Sequence, residues 1–347
     1  MRVKTVLVIQ CGALGDLICS TSVIDAVARQ FGPGTSIDYV CKSGPGALFF
    51  LDKRVNKVFE VNHCKWPVWL HPAKRDVVNS SRKVPYDLLI NFGSGKQFKG
   101  LVQKIRAGKK VGFHSTESHF PQGIHMVDAL KRIFSDVIDD EHLWRALPSL
   151  VGTPVEEVKA TYGLDHRYLV VSPSNSHHHK KNVNHRAWEQ DSWAELIDAL
   201  SRDIQVVVVG NRGEDDFFNR LRPFPAGVAD LVGKTPVVDL VGVIDGAVGL
   251  VATDTGTAHV ASATGTEVFT LIGPTPACET APYQGPFNTV HIISANLPCS
   301  PCYKTEAMKA CRDNRCMKDI SVSDVYDLVA ASCLGGEGLQ DKKSAAS

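Results

Sequence analysis

The sequence predicts an α/β protein with parallel sheets in two domains, and three observations lead to this class. Short, continuous apolar runs such as 206–209 and 250–252 alternate with helical patterns in both halves of the chain. Continuous apolar runs are typical of parallel strands that are covered on both faces. The length of 347 residues suits two domains, and a hydrophobic content of 44% is enough for two cores.

Residues 1–160 are expected to form the first domain. Its predicted strands lie at residues 4–9, 36–40, 57–61, 86–91 and 110–113. Its predicted helices lie at residues 17–31, 46–51, 101–107 and 127–134, with one more that ends near residue 83. The segment 146–160 contains Pro and Gly and is expected to link the two domains.

Residues 161–333 are expected to form the second domain. Its predicted strands lie at residues 168–172, 205–210, 250–252, 268–272 and 290–293. Its predicted helices begin near residues 188, 213 and 256, and a last helix covers 322–331. The polar tail 334–347 is expected to be disordered.

No membrane-spanning segment is expected, because the chain has no run of about eighteen apolar residues. The segment 1–9 superficially looks like a signal peptide. However, Gln10 and Asp16 follow too soon, and no small-residue cleavage site is apparent. We therefore expect a buried first strand and a cytoplasmic protein.

The net charge of +1 conceals an asymmetry between the two halves. Residues 1–160 carry 22 Lys and Arg against 15 Asp and Glu, whereas residues 161–347 carry 16 against 22. The basic first half suits a phosphorylated glycan, or an anionic membrane surface with which the protein associates peripherally. Duplex nucleic acid is disfavoured because no recognition motif is visible. Alternatively, the asymmetry has no functional meaning.

The most informative stretch, 249–265, has the pattern of a buried strand, a polar turn and the start of a helix. The turn contains Asp254, Thr255 and Gly256, and small residues follow it. The first amides of a helix lack backbone partners and lie at the positive end of its dipole, so this turn can bind a phosphate or diphosphate. Alternatively, the turn only caps the helix, and His259 is a structural histidine.

A second loop, 10–16, follows the first predicted strand. Gly12 and Gly15 have G-x-x-G spacing, which indicates that another group approaches closely but is neither the dinucleotide fingerprint nor a P-loop. Asp16 lies at the start of the next helix, at the edge of the sheet where open α/β folds bind ligands. Its alternative role is that of a helix cap.

Four motifs, taken in order, resemble glycosyltransferase family 9, the bacterial ADP-heptose:lipopolysaccharide heptosyltransferase family. They are Gly12-Ala-Leu-Gly-Asp16 after a strand, Arg186-Ala-Trp188 with Trp193 five residues on, Gly210-Asn-Arg-Gly-Glu214 after a strand, and Asp254-Thr-Gly-Thr-Ala-His259. Each motif is weak alone, but all four in order are specific, and the resemblance covers nearly the whole chain.

The resemblance implies a GT-B fold, in which two Rossmann-like domains face each other across a cleft. It also implies an inverting, metal-independent transfer of heptose from ADP-heptose. The first domain would bind the acceptor and the second the nucleotide sugar. Asp16 would be the general base for the acceptor hydroxyl. The residues expected at the donor are Thr255 and Gly256 at the diphosphate, Glu214 at the ribose hydroxyls, and Asp254 and His259 at the fourth loop or the donor sugar.

Arg186 stands where the family usually has lysine, and Glu189 replaces the family's proline after the tryptophan. Both cations suit a phosphate, but a guanidinium is a planar fork and an ammonium is a point charge. Lys180 or Lys181, in the preceding polar loop, is expected to share this role. The adjacent His177, His178 and His179 are expected to form a solvated loop rather than a metal site.

Four cysteines lie within eighteen residues, at Cys299, Cys302, Cys311 and Cys316. Their spacing opens with C-x-x-C and suits a tetrahedral thiolate site, and a cytosolic chain disfavours structural disulfides. Some members of the resembled family carry a comparable segment, and a few use it to bind iron or zinc. We expect a structural zinc or iron ion here, with four reduced thiols as the alternative. The chemistry itself is expected to need no cofactor.

The sequence therefore predicts a glycosyltransferase that transfers heptose from ADP-heptose to a lipopolysaccharide core or a related anionic glycan. Within the same class, the donor could be another nucleotide sugar, or the acceptor a protein. An NAD-dependent oxidoreductase is disfavoured because neither half has G-x-G-x-x-G followed by an acidic residue about twenty positions on. The alternative of another class is a non-enzymatic sugar-nucleotide-binding or assembly protein.

Overall fold

The structure is a computed structural model that describes residues 3–62, 65–117, 119–121, 123–175 and 183–335. The chain divides into two compact units, Met1–Val151 and Gly152–Ser347. The sequence predicts a boundary after residue 160, but the segment before it forms a helix that packs within the second unit. Outside the described residues lie Lys180, Lys181, His177, His178, His179 and the tail from residue 336.

The described part of the first unit contains a five-stranded parallel sheet. Its strands are β1 (Thr5–Gln10), β2 (Ser36–Lys42), β3 (Val55–Val61), β4 (Tyr86–Asn91) and β5 (Ala107–Gly112). The strand order is β3-β2-β1-β4-β5. Because β1 is central and pairs with both β2 and β4, its residues 6–9 are fully buried, as their continuous apolar character predicts.

Helices connect these strands. They are α1 (Leu14–Ser20), α2 (Ser22–Phe31), α3 (Pro72–Lys83), α4 (Lys96–Lys104), α5 (Met126–Ile133) and α6 (Asp140–Arg145), with 3₁₀ turns at Pro45–Phe49 and Ser135–Val137. The single helix predicted for 17–31 is divided at Thr21, whose amide and hydroxyl both donate to the carbonyl of Ile18. Because α1 begins at Leu14, Asp16 lies in its first turn.

The described part of the second unit contains a six-stranded parallel sheet. Its strands are β6 (Tyr168–Ser172), β7 (Gln205–Val208), β8 (Ala229–Asp230), β9 (Gly249–Thr253), β10 (Glu267–Leu271) and β11 (Val290–Ile293). The strand order is β11-β10-β9-β6-β7-β8. The central strands β9 and β6 are buried along their whole length. Because they are parallel neighbours, their carboxyl ends meet at one edge of the sheet.

The helices of this unit are shorter on average. They are α7 (Val155–Tyr162), α8 (Gln190–Ser201), α9 (Asp215–Phe218), α10 (Val237–Asp245), α11 (Gly256–Thr264), α12 (Ala277–Thr280), α13 (Glu306–Ala310), α14 (Arg315–Lys318) and α15 (Val322–Val329), with a π-helical turn at Ala330–Leu334. The sequence pattern predicts neither α7 nor α10. Asp239 of α10 links the two, because it accepts hydrogen bonds from the hydroxyls of Thr153 (2.5 Å) and Tyr162 (2.7 Å).

The two tryptophans of the second motif are structural. Trp188 and Trp193 are buried in the core of the second unit, with ring centroids 4.9 Å apart in an edge-to-face arrangement. The indole N–H of Trp188 donates to the carbonyl of Ile320 over 3.1 Å. This packing fixes the chain directly after Arg186. Among the described residues, no helix combines the length and the apolar character needed to cross a membrane.

Candidate active site

In the first unit, the loop after β1 is organised by Gln10 and Asp16. The Gln10 side chain accepts from the amide of Gly12 (3.1 Å) and donates to the carbonyl of Asp16 (3.4 Å). The amide of Ala13 donates to Oδ2 of Asp16 over 2.8 Å. A Cβ on Gly12 would lie only 2.4 Å from that oxygen. The close approach that the G-x-x-G spacing indicates is therefore made by the Asp16 carboxylate; Gly15 lies within α1.

Asp16 caps α1 through one oxygen only. Its other oxygen, Oδ1, takes no hydrogen bond from the described residues, and the side chain is partly exposed. The cap and the general base are therefore compatible roles for this residue. Burial, with a further contribution from the charge of Asp16, raises the pKa of the nearby Cys19 thiol to about 12. Cys19 thus stays protonated near neutral pH and does not compete as a nucleophile.

In the second unit, polar side chains join the carboxyl ends of β6 and β9. Thr257 Oγ1 donates to Ser172 Oγ over 2.8 Å. Asn175 donates to Thr253 Oγ1 over 3.5 Å and accepts from the side-chain amide of Asn184 over 3.0 Å. These bonds hold the loop after β6 against the start of α11, at the edge where open α/β sheets bind ligands.

Helix α11 starts at this edge and presents its first amides there. Thr255 is its N-cap residue in an extended conformation, and no side chain among the described residues caps the helix. Its first turn, which begins at Gly256, contains no acidic residue. The uncapped amides and the positive end of the helix dipole make this a suitable anion-binding site. His259 lies one turn further along the same helix and is partly buried.

Arg186 lies beside Asp254, the residue that precedes this N-cap. Their closest charged atoms, Nη1 and Oδ2, are 3.4 Å apart, and both side chains are largely buried. The guanidinium carbon of Arg186 lies 4.9 Å from the ring centroid of Tyr303. The structure therefore places Arg186 next to Asp254, the residue before Thr255 and Gly256, and the role of these four residues at a donor stays a prediction.

Glu214 lies at the same edge of the sheet but takes part in internal hydrogen bonds. One of its oxygens accepts from the Ser174 hydroxyl (2.6 Å) and from the Asn211 amide (2.8 Å). The other oxygen accepts from the Asn211 side chain (3.2 Å), and the residue is only 3% exposed. In this structure Glu214 joins the loop after β6 to the loop after β7. Its role at a ribose stays a prediction.

A comparison with protein families decides the class of this site. The model of glycosyltransferase family 9 (heptosyltransferase) matches residues 88–311, well over half of the chain. The chain belongs to this family. The prediction of a glycosyltransferase is confirmed.

Individual relatives agree with the family assignment. Lipopolysaccharide heptosyltransferase 1 of Pseudomonas aeruginosa is 23% identical over 325 residues, which cover 86% of each chain. The structure of ADP-heptose lipopolysaccharide heptosyltransferase II of Escherichia coli superposes with a TM-score of 0.75 at 18% identity, covering 95% of this chain and 98% of the other. The iron-containing dodecameric glycosyltransferase TibC of enterotoxigenic E. coli superposes with a TM-score of 0.55 at 13% identity, covering 95% and 76%. These likenesses confirm an α/β fold of GT-B type.

In this glycosyltransferase, the cysteine segment 299–316 packs against the end of β10. The amide of Cys302 donates to the carbonyl of Pro274 over 2.9 Å, and a Cβ on Gly273 would lie 2.9 Å from Sγ of Cys316. Burial and the charges of the other three thiols raise the pKa of Cys316 to about 11. No three His, Cys, Asp or Glu side chains of the described residues are placed to hold a metal ion. The thiols are thus neighbours without forming a ligand shell.

The cysteine segment also lines a cavity of about 800 Å³ that the second and third motifs share with it. Its lining includes Asn184, Trp188, Glu214, Arg220, Arg312 and Lys318. The motifs do not include Ser172, Asn175 or Tyr303, and the fourth motif contains Thr257 without giving it a role, although the structure places all four around the predicted donor residues. Their partners are far away in sequence, so only their position at strand ends or next to C-x-x-C could have drawn attention to them.

Proposed function

We propose that this protein is an inverting heptosyltransferase that transfers heptose from ADP-heptose to a lipopolysaccharide core or a related anionic glycan. The observation that carries the proposal is the arrangement at the start of α11, where Arg186 and Asp254 lie beside uncapped amides that can bind an anion. Membership of family 9 supports heptose as the transferred sugar, and the name of the E. coli relative supports ADP-heptose as its donor.

The donor diphosphate would bind at the amides of Thr255 and Gly256. The sugar–phosphate bond breaks during transfer, so negative charge accumulates on the departing ADP, and preorganised donors stabilise it there. Arg186 would supply the positive charge. Asp254 would hold the guanidinium in place, because its carboxylate already lies 3.4 Å from Nη1. Glu214 would accept from the ribose hydroxyls after exchanging some of its internal bonds, and His259 would orient the donor sugar.

The acceptor hydroxyl would be activated by Asp16. As its oxygen attacks the anomeric carbon from the face opposite the diphosphate, its proton passes to Oδ1 of Asp16. The bond between the anomeric carbon and the diphosphate oxygen breaks, and ADP leaves with the bonding electrons. The configuration therefore inverts. Oδ2 keeps its bond to the Ala13 amide, which holds the carboxylate in one orientation during the transfer.

The basic composition of residues 1–160 supports an anionic acceptor bound by the first unit. A phosphate-bearing core glycan on a lipid has that charge. The enzyme would then work in the cytoplasm, associated peripherally with the inner face of the inner membrane.

The four cysteines would bind one structural zinc or iron ion. Their C-x-x-C spacing supports this, and one solved neighbour is named as iron-containing. The thiols would have to draw closer to complete a ligand shell. The ion would stabilise the segment and take no part in the transfer.

The donor is tested by isothermal titration of the purified protein with ADP, UDP, GDP and NAD in metal-free buffer. We expect binding of ADP alone, followed by ADP release from ADP-heptose when a core acceptor is added. Preference for UDP or GDP would keep the glycosyltransferase and overturn the donor. Binding of NAD together with no binding of ADP, UDP or GDP would contradict the proposed nucleotide-sugar donor.

A further inference from the structure

Arg186 has few bonds for a buried cation. Its side chain is 19% exposed, and its Nε is buried without a hydrogen bond to the described residues. The contact with Asp254, at 3.4 Å, is longer than the 2.7–2.9 Å typical of a charge-assisted hydrogen bond. One long contact through a single nitrogen does not fix the plane of the guanidinium. Another group must do so if its N–H donors are to meet a diphosphate in a defined orientation.

The aromatic ring of Tyr303 lies where it can meet this requirement. The guanidinium carbon of Arg186 lies 4.9 Å from the ring centroid, within the range of about 6 Å for a cation–π contact. The ammonium of Lys304 lies 4.9 Å from the same centroid. Two cations thus converge on one ring, and among the described residues Asp254 pairs with Arg186 whereas no carboxylate forms an ion pair with Lys304. This surplus of positive charge is what a bound diphosphate would neutralise.

The backbone of the cysteine segment is anchored at two places, before and after Tyr303. The amide of Cys302 donates to Pro274 at the end of β10 (2.9 Å), and the hydroxyl of Thr305 donates back to the carbonyl of Cys302 (2.7 Å). Further along the segment, the side chain of Asn314 donates to the carbonyl of Ala187 over 3.4 Å. These bonds tie the backbone on either side of Tyr303 to the end of β10 and to the residue that follows Arg186.

We propose that Tyr303 is a positioning residue for Arg186, and that the cysteine segment is in this way part of the donor site. The inference rests on the proposed function, in which Arg186 binds the donor diphosphate. The ring acts through its π face rather than its hydroxyl, so the proposal concerns the aromatic group and not a hydrogen bond.

The test is a double-mutant cycle on the full chain, read by calorimetry with ADP and by kinetics with ADP-heptose. Tyr303→Leu should weaken ADP binding about 5-fold, the scale of a partly buried cation–π contact. It should raise KM for the donor with kcat nearly unchanged. Tyr303→Phe keeps the ring and should bind ADP like the parent chain. In an Arg186→Gln background, Tyr303→Leu should have no further effect.

Two results of the mutant cycle would overturn the proposal. One is an equal loss from Tyr303→Leu with and without Arg186, which would mean that the ring only stabilises the fold. The other is a loss from Tyr303→Phe as large as that from Tyr303→Leu, which would assign the effect to the hydroxyl. If the parent chain binds UDP or GDP instead of ADP, the donor assignment fails, and the same cycle measured with that diphosphate decides the role of Tyr303. Absence of any diphosphate binding would overturn both.

Discussion

At the scale of single residues, the one-sided bonding of Asp16 allows its two roles to be separated. In Asp16→Asn the side-chain oxygen still accepts from the Ala13 amide, but the amide group takes up no proton. We expect kcat for heptose transfer to fall about 10²–10⁴-fold, the usual contribution of a general base. The Kd for ADP and the thermal unfolding temperature should stay close to those of the parent chain. Steady-state kinetics, calorimetry and thermal unfolding measure these three quantities.

Asp16→Ala removes the cap as well as the base. It should show the same loss of kcat together with a loss of about 1 kcal/mol in the free energy of unfolding. Asp76→Asn, on the exposed face of α3, is a matched control that should leave both unchanged. An Asp16→Asn enzyme that kept its kcat would show that Asp16 is only a cap.

The sequence locates the residues of the site better than it locates their partners. Asp16, Glu214 and Asp254 are recognisable because each lies at or just before the start of a helix that follows a strand. Their bonding depends on tertiary packing between distant segments, such as the bond from Ser174 to Glu214. The contact between Gly12 and Asp16 is local, but the G-x-x-G spacing indicates only a close approach and does not show that the approaching group is the Asp16 carboxylate.

At the scale of helices and strands, the sequence predicts the buried strands best. Their apolar runs are continuous because both faces are covered, and β1, β6, β9 and β10 lie close to where the sequence places them. The missed helices have weaker patterns. Helix α7 buries only Val158, and α10 is rich in β-branched residues that favour strands. Its helical state is stabilised by packing, since a Cβ on Gly242 would lie 2.2 Å from the carbonyl oxygen of Thr153.

The cysteine segment is the element for which metal binding can be measured directly. We expect about one zinc or iron ion per chain, by elemental analysis of protein purified under reducing conditions. The double variant Cys299→Ser and Cys302→Ser should lose the ion and unfold at a lower temperature. Because the segment carries Tyr303, which is proposed to position Arg186 for the diphosphate, the loss of the ion should also weaken ADP binding modestly.

The matched control for this element is Cys278→Ser, an exposed cysteine outside the segment, which should keep the ion. A parent chain that contains no metal after expression with added zinc and iron would establish four reduced thiols instead. In that case the hydrogen bonds from Cys302 to Pro274 and from Asn314 to Ala187 would be what holds the segment.

At the scale of the whole molecule, the two halves of the proposed chemistry lie in different units. The described residues that are proposed to bind the donor, from Arg186 to His259, belong to the second unit, whereas Asp16 belongs to the basic first unit. Each unit has its own parallel sheet and its own hydrophobic core. ADP, which lacks the heptose, should therefore affect hydrogen exchange in the second unit only. The loop around Asp16 should stay unchanged.

Hydrogen exchange followed by mass spectrometry tests whether ADP affects the second unit alone. If ADP binds only the folded state, a concentration of about 100 Kd stabilises that state by about 2.7 kcal/mol. Hydrogen exchange that requires unfolding of the ADP-binding site then slows by about 100-fold. We expect this protection in peptides that cover 249–265, and none in peptides that cover 10–20. AMP, which lacks the second phosphate, should protect the same peptides less at equal concentration. Protection of 10–20 by ADP alone would mean that the nucleotide contacts the loop of Asp16, and that this loop is not reserved for the acceptor.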